Sequence, residues 1–341
     1  MSVPRIYGIG NPLVDVSVSV EDRDLETLGL TKGTMLLIDT EKRRQILDHI
    51  EGKAVSYGCA GSAPNTIITI ASLGRPTTLG GAVGDDELGG VYRERLKETG
   101  VEDRLAVCPG ETGTSIILVT PDGERTMCTF LGVCDRFSSN DVDTERAKNV
   151  DWIHFTGYMF DTDSQRAAIA YAVAAARKGG AKVSFDVADP FAVDRHGDAF
   201  REIIERDVDL LFANQAEAEM LTGMSDPAEA AQSLSKSVEV VAVKDGKNGS
   251  VIATAGNLYR IEADSASLVD STGAGDTYAA GFLYSLTDGS DVQEAARFAS
   301  FLAARIVERR GAQFDAAESK RLGEQYYSRA RTENGSTAVR G

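Results

Sequence analysis

From residue 150 onward, short apolar runs alternate with longer stretches of helical periodicity. DWIHFTG, AKVSFDV and VDLLFAN are typical of buried strands, and each is followed by a predicted helix. Alternation of this kind favours a mostly parallel sheet covered by helices on both faces. The chain has 341 residues, 42% of them apolar, which is enough to bury such a core. We therefore predict an α/β fold with three layers, α/β/α.

Two segments do not follow this alternation. VDVSVSV, from Val14 to Val20, alternates apolar and polar residues as a half-exposed strand does. TGTSIILVT and RTMCTFL flank the turn sequence PDGE and predict a β-hairpin over residues 112–131. These segments predict a small separate β-sheet, which could act as a lid over the larger one.

Charge and cysteine content narrow the class of function. The formal net charge of −16 disfavours nucleic-acid partners and requires local donors or a cation wherever an anion binds. The four cysteines form no C-x-x-C pair, and the three histidines are scattered, so neither a disulfide framework nor a histidine-based site is favoured. The N-terminus lacks signal-peptide character, and the longest apolar run, residues 167–176, is too short to cross a bilayer. We expect a cytoplasmic protein without membrane contact.

The segment DSTGAGDTYAAGF carries the strongest chemical signal. Gly273, Ala274 and Gly275 are followed at once by Asp276, where a helical pattern begins. Unpaired N–H groups at a helix N-terminus bind anions, and small residues allow a close approach. A carboxylate in the same turn could accept the proton of a hydroxyl group that attacks a phosphorus atom. An acidic first turn also stabilises a helix by itself, so this motif alone leaves both interpretations open.

Other nucleotide-binding motifs are missing. The P-loop pattern G-x-x-x-x-G-K-[ST] does not occur. GIGNPL begins as a dinucleotide fingerprint, but Leu13 stands where the third glycine should be, and an alternating strand follows.

Several motifs in the same order resemble those of the ribokinase-like (PfkB) carbohydrate and nucleoside kinases over residues 5–315. DSTGAGDTYAAGF resembles the C-terminal signature of that family, GCAGSAPNTIITIASLG its N-terminal glycine signature, and ANQAEAEML its N-x-x-E segment. GIGNPLVDVSVSV resembles the opening of the adenosine kinases within the family. The resemblance implies a ribokinase-like fold and an ATP- and Mg²⁺-dependent kinase, with a K⁺ requirement possible.

The resemblance also implies roles for residues of the acceptor site. Asp276 corresponds to the general base, and the amides of Gly273, Ala274 and Gly275 correspond to the anion hole. The remaining acceptor-site candidates are Asn11, Asp15, Gly61, Ser62 and Asn65 in the glycine-rich segments, and Arg125, Met127, Thr129 and Met159 near the lid. The alternatives without a ligand are solvent-facing strand residues for Asp15 and Arg125, a helix cap for Asn65 and packing residues for the methionines. The motif match favours hydroxyl recognition for Asp15 and sugar contact for Asn65.

A second group is implied on the nucleotide side. Asn214 and Glu217 match the N-x-x-E segment that organises Mg²⁺ and phosphate, often through water, so Glu217 is the Mg²⁺ candidate. Asp270 and Gly311 resemble positions of a monovalent-cation site in some family members. The other cofactor-binding candidates are Lys244, Gly246, Thr272 and Ser300. The chain differs from the glycine pattern of the adenosine kinases at two positions, Ala60 in place of a glycine and Pro64 before Asn65. These differences leave the fine shape of the acceptor pocket open.

These inferences divide the chain and suggest its activity. We assign residues 1–11, 59–111 and 132–330 to a large nucleotide-binding domain, 12–58 and 112–131 to the lid, and 331–341 to a flexible tail.

The expected reaction transfers the γ-phosphoryl group of ATP to a primary hydroxyl of a small molecule, with adenosine the favoured acceptor. The alternatives are a sugar kinase acting on ribose, fructose or 2-keto-3-deoxygluconate, and a non-catalytic nucleotide-binding regulator. The sequence leaves monomer and homodimer open.

Overall fold

The computed structural model describes residues 5–337, with side chains to residue 328. This range contains fourteen strands: β1 (Ile6–Ile9), β2 (Leu13–Ser19), β3 (Met35–Leu37), β4 (Val55–Ala60), β5 (Thr77–Gly84), β6 (Glu102–Cys108), β7 (Thr114–Val119), β8 (Arg125–Phe130), β9 (Trp152–Thr156), β10 (Lys182–Asp186), β11 (Leu210–Asn214), β12 (Val240–Lys244), β13 (Ser250–Thr254) and β14 (Asn257–Ile261).

The same range contains twelve α-helices: α1 (Asp22–Thr27), α2 (Thr40–His49), α3 (Ser62–Ser72), α4 (Glu87–Thr99), α5 (Thr144–Lys148), α6 (Asp163–Gly179), α7 (Pro190–Asp207), α8 (Gln215–Thr222), α9 (Pro227–Leu234), α10 (Ala274–Thr287), α11 (Val292–Ile306) and α12 (Ala316–Thr337). No helix in the described range combines the length and apolar character that a membrane span requires.

A nine-stranded sheet forms the centre of the molecule, in the order β14-β13-β12-β11-β10-β9-β1-β5-β6. Its pairings are parallel except at β12–β13 and β13–β14, where two hairpins end the sheet. One apolar core packs α6 to α9 on one face, and a second packs α3, α4, α10 and α11 on the other. The predicted three-layer α/β/α class with a mostly parallel sheet is confirmed.

A second sheet of five strands has the order β3-β8-β7-β2-β4. Its strand β2 alternates buried and part-exposed residues, as VDVSVSV predicts. One face packs against α1 and α2 through Val16, Leu25 and Ile46, and the opposite face turns toward the large sheet. The predicted hairpin over 112–131 is present as β7 and β8. The movement of this sheet as a lid stays a prediction.

Four elements were not predicted, the short helix α5 and three others. The edge strand β6 pairs with β5, and α1 covers the small sheet. The long helix α12 packs against α11 through Leu322, Tyr326 and Tyr327. Residues 331–337 belong to α12, while 338–341, the end of the predicted flexible tail, lie outside the described residues.

Candidate active site

A cavity of about 320 Å³ lies where the two sheets face each other. Its walls include Asp15 and Met127 of the small sheet and Asp276 of α10. The predicted residues that line this cavity are Asn11, Asp15, Gly61, Ser62, Asn65, Met127, Thr129, Thr272, Gly273, Ala274, Gly275 and Asp276. A volume of this size suits a small organic molecule. The fold therefore brings most of the acceptor candidates into one place.

The start of α10 is built for an anion. Gly273 is the N-cap with φ of 74°, and a Cβ there would lie 2.6 Å from the Ala312 side chain, so only glycine fits. The amide of Ala274 donates to the carbonyl of Ser271 at 3.2 Å. Within residues 5–337 the amides of Gly275 and Asp276 have no acceptor. These two N–H groups and the helix dipole can hold a phosphoryl oxygen.

The carboxylate of Asp276 is partly buried and is held by two side chains from α3. The hydroxyl of Ser62 donates to Oδ1 at 2.6 Å, and Nδ2 of Asn65 donates to Oδ2 at 2.9 Å. Burial raises the pKa of Asp276 to about 6, and the two hydrogen bonds oppose that rise because they favour the ionised form. A carboxylate with this pKa is ionised at neutral pH and can accept a proton.

The orientation of α3 depends on Gly61, its N-cap. Gly61 has φ of 110°, and a Cβ there would lie 2.0 Å from the Asn11 carbonyl oxygen. The hydroxyl of Thr66 donates to the carbonyl of Asp276 at 3.1 Å, which joins α3 to α10. Asn65 was predicted to contact the acceptor or to cap the helix. Its Nδ2 donates a hydrogen bond to Asp276, and its Oδ1 accepts one from Gln313 at 2.9 Å.

Asn11 and Asp15 come from the end of β1 and the start of β2. Asn11 is buried and accepts from Gln165 at 2.7 Å, which fixes its amide. Asp15 lines the cavity, and no group in the described range donates a hydrogen bond to its carboxyl. Burial raises the pKa of Asp15 to about 7, opposed by Arg125. An acceptor hydroxyl would supply the donors that this carboxyl lacks.

Arg125 reaches from the small sheet to the loop before α10. Its Nη1 donates to Oδ2 of Asp270 at 2.5 Å and to the Thr272 hydroxyl at 2.6 Å. Asp270 also accepts from Thr272 through Oδ1 and from the Gly311 amide through Oδ2. Both carboxyl oxygens are therefore engaged, and the cation beside Asp270 is Arg125. The monovalent-cation role of Asp270 and Gly311 stays a prediction.

Lys244 ends β12 beneath the first turn of α10. Its Nζ forms an ion pair with Asp186 at 2.8 Å, and a Cβ added to Gly275 would lie 3.3 Å from it. Burial alone would lower the pKa of Lys244, but the carboxylates of Asp186 and Glu217 raise it, so the ammonium group stays charged. Its position beside the free amides adds positive charge where a phosphoryl group would bind.

Asn214 and Glu217 form a capping box at the start of α8. Oδ1 of Asn214 accepts from the Glu217 amide at 2.9 Å, and Glu217 accepts from the Asn214 amide at 2.7 Å and from its side chain. Burial raises the pKa of Glu217 to about 7, with Asp186 adding to the rise and Lys244 opposing it. No three metal-ligating side chains cluster within residues 5–337. Because both Glu217 oxygens are engaged, the residues fit Mg²⁺ held through water rather than directly.

Besides Arg125, Asn214, Glu217, Lys244, Asp270 and Gly311, three more predicted residues do not line the cavity. Met159, which was predicted to face the substrate, is fully buried in the core beside α6, and its contact with a substrate stays a prediction. The Ser300 hydroxyl donates to the carbonyl of Glu262 and accepts from the Asp264 amide. Gly246 follows β12 with φ of 52° and open space beside it. A nucleotide role for Ser300 and Gly246 stays a prediction.

Sequence reasoning missed several residues of this region. Asp161 and Arg195 line the cavity and pair at 2.9 Å, and His196 also contacts Asp161. Tyr158 lines it as well and donates to Asp189. These residues follow the carboxyl ends of β9 and β10, where ligands bind in parallel sheets, and that position was the available signal. Gln313 lies between α11 and α12 and follows no strand, so nothing comparable in the sequence indicated its position.

Comparisons with known proteins agree with this geometry. The family model described as pfkB family carbohydrate kinase matches residues 22–319. An adenosine kinase structure from Sinorhizobium meliloti superposes with a TM-score of 0.86 and 31% identity, covering 94% of this chain and 99% of that one. An ATP-dependent ribose-1-phosphate kinase of Halopiger xanaduensis is 34% identical over 74% of this chain and 81% of its own. An adenosine kinase of Schizophyllum commune is 28% identical over 92% of this chain and 98% of its own.

The fold and these matches define an ATP-dependent kinase that phosphorylates a small molecule, either a nucleoside or a sugar. The chain belongs to the pfkB family of carbohydrate kinases. A non-catalytic nucleotide-binding protein could share this fold, but it would have no use for a carboxylate beside the amides that begin α10.

Proposed function

We propose that this kinase transfers the γ-phosphoryl group of ATP to the primary hydroxyl of a nucleoside, with adenosine as the preferred acceptor. The observation that carries the proposal is the position of Asp276, whose partly buried carboxylate lies in the same helical turn as two free amides. The base accepts the hydroxyl proton as the oxygen attacks phosphorus. The amides and Lys244 stabilise charge on the transferred group.

The cavity walls support a nucleoside. Asn11, Asp15 and the base form a polar side suited to ribose hydroxyls. The small sheet presents an apolar side formed by Met35, Leu37, Met127 and Leu131. A flat base offers such a wall a larger apolar face than the C–H groups of a free sugar do. Leu13 of β2 and Ala60 of β4 are further apolar lining residues from the small sheet.

Mg²⁺ bound with ATP would neutralise phosphate charge. Glu217 and Asn214 would hold its water ligands at the carboxyl end of β11, close to Lys244. The nucleotide would thus lie on the side of α10 that faces β11 and β12. The acceptor would lie on the side that faces the small sheet.

A second candidate, a sugar that carries an anionic group, is favoured by Arg195. Arg195 is the one cationic side chain among the residues that line the cavity. Three carboxylates, Asp15, Asp161 and Asp276, line it too, so an anionic acceptor would depend on Arg195. The ribose-1-phosphate kinase similarity points in the same direction.

One experiment separates these candidates. ADP release is measured with ATP, Mg²⁺ and a panel containing adenosine, other nucleosides, ribose, fructose, 2-keto-3-deoxygluconate and ribose 1-phosphate. We expect the highest kcat/KM with adenosine and a loss of about 100-fold or more in kcat for Asp276→Asn, with ATP affinity retained. The exposed Asp198→Asn serves as the matched control. Turnover of a sugar but not of adenosine would overturn the acceptor assignment, and full activity of Asp276→Asn would overturn the role of the base.

A further inference from the structure

Gln313 is joined to the catalytic base through one intervening side chain. Its Nε2 donates to Oδ1 of Asn65 at 2.9 Å, and Nδ2 of Asn65 donates to Oδ2 of Asp276 at 2.9 Å. Asn65 is 6% exposed, so water has little access to compete for these bonds. The three side chains form a linear relay from the α11–α12 loop to α10.

The contacts of Gln313 with the rest of the chain determine which atom of each relay residue donates and which accepts. Nε2 of Gln313 also donates to the backbone carbonyl of Cys59 at 2.8 Å, and Oε1 lies 3.4 Å from Nη2 of Arg95. A carbonyl only accepts and a guanidinium only donates, so the Gln313 amide has one favourable orientation. That orientation places a donor against Asn65 and obliges Asn65 to present its own NH₂ group to Asp276.

The environment of Asp276 makes this donor important. The charged and titratable groups that act on it are Lys244 from β12, Asp186 from β10 and Tyr158 after β9. The carboxylate of Asp186 disfavours its ionised form, as does burial. Ser62 and Asn65 are the side chains that donate hydrogen bonds to it within the described range.

We propose that Gln313 is a positioning residue that keeps the Asn65 amide turned so that it donates to Asp276 and holds the general base ready to accept a proton. This inference rests on the proposed kinase function. The same loop reinforces it, because Ala312 packs against Gly273 and the Gly311 amide bonds Asp270, the partner of Arg125. The loop thus supports the base, the anion site and the contact with the small sheet together.

The test replaces Gln313 by an isosteric acceptor. In Gln313→Glu, a carboxylate faces Asn65, whose amide should rotate and present its oxygen to Asp276. Two opposed acceptors favour the protonated base, so the acidic midpoint of the kcat/KM profile should rise by about one pH unit, with kcat/KM about tenfold lower below that midpoint. The exposed Gln232→Glu adds the same charge far from the site and should leave the profile unchanged.

A double-mutant cycle separates positioning from direct charge repulsion. If the effect passes through Asn65, Gln313→Glu should shift the midpoint in the wild-type background and have little effect in an Asn65→Ala background. A shift of the same size in both backgrounds would overturn the proposal, and so would a Gln313→Glu profile that matches that of Gln232→Glu.

The outcome also stays separate from that of the proposed function. Absence of turnover in the wild type with every acceptor of the panel would refute the proposed kinase function itself, and full activity of Asp276→Asn would refute the role of Asp276 as the base. Thermal unfolding monitors folding, and if Gln313→Glu does not fold, the uncharged Gln313→Met replaces it. That variant should lower kcat and raise the acidic midpoint while leaving the KM for ATP unchanged; an unchanged midpoint would overturn the proposal.

Discussion

Arg125 and Asp270 form an ion pair with an N–O distance of 2.5 Å, in which the two side chains are 23% and 10% exposed. Arg125 starts β8 of the small sheet, and Asp270 precedes the anion-binding turn of α10. The pair therefore couples the position of the small sheet to the loop that leads to the base.

Removing this pair should impair catalysis more than folding. We expect Arg125→Met to lower kcat/KM about tenfold or more, because a hydrogen-bonded pair of charges is worth about 1.5–3 kcal/mol and here holds the small sheet over the site. Steady-state kinetics with the identified acceptor measures the effect. Lys32→Met removes surface ion pairs from the same part of the molecule and should leave the kinetics unchanged. Equal kinetic losses in both variants would contradict a specific role for Arg125.

The pH dependence of turnover should follow Asp276. Its pKa of about 6 means that the base loses its negative charge as the pH falls through 6, so kcat/KM should fall with a slope of one below that value. Ser62→Ala removes a donor that stabilises the ionised form and should move the midpoint to higher pH. The exposed Ser56→Ala provides the control. An unchanged midpoint in Ser62→Ala would mean that protonation of Asp276 does not cause the fall of kcat/KM at low pH.

The carboxyl group of Asp15 should lower the stability of the folded protein while it contributes to binding of the acceptor. Its folded-state pKa of about 7 lies above the ordinary value of 3.8, so its ionised form destabilises the folded protein above pH 7, and this cost declines as the pH falls. We expect Asp15→Asn to stabilise the ligand-free protein at pH 8 by about 1 kcal/mol or more and to lower kcat/KM for the acceptor.

Denaturant unfolding at pH 8 and pH 5 measures the stability of this variant. The gain should be larger at pH 8, and the exposed Asp48→Asn should show no such difference. A gain that is the same at both pH values would mean that the charge of Asp15 is not its cause.

Gly273 should be irreplaceable. Gly273→Ala places a Cβ 2.6 Å from the Ala312 side chain in a residue with φ of 74°, so the first turn of α10 must move and displace its free amides. We expect kcat to fall about 100-fold. Gly289, beyond the other end of the same helix, has φ of 89° with open space beside it. Gly289→Ala should therefore lower stability by about 1 kcal/mol and leave kcat unchanged. Similar kcat values for the two variants would argue against an anion site at Gly273.

Local patterns in the sequence predicted the architecture because strand and helix periodicities differ sharply in this chain. The large sheet, the hairpin β7–β8 and the helix that begins beside Gly273 all follow from such patterns. Strand β6 was missed because its burial is mixed, and α12 because it packs through a few residues such as Leu322 on an otherwise polar helix.

The site was predictable only where a motif marks it. Asp276 and its glycines carry a pattern that chemistry explains, and the cavity contains them. The sequence could not show whether Met159 lies in the core or in the pocket, because a methionine beside a strand end suits both, and the structure places it in the core. Arg195, Asp161 and Gln313 belong to no local pattern, since their proximity to the cavity or the base depends on tertiary packing. Whether Arg125 pairs with Asp270 or faces solvent likewise depends on the docking of the small sheet.

Asp276 is held by Asn65, which lies 211 positions away in the chain, and Asn65 is held by Gln313, 248 positions from it. During translation, residue 313 must have left the ribosome before this arrangement can exist, even though the glycine-rich start of α3 emerges early. A nascent chain therefore cannot position Asp276 fully, or use ATP with it, until residue 313 has left the ribosome.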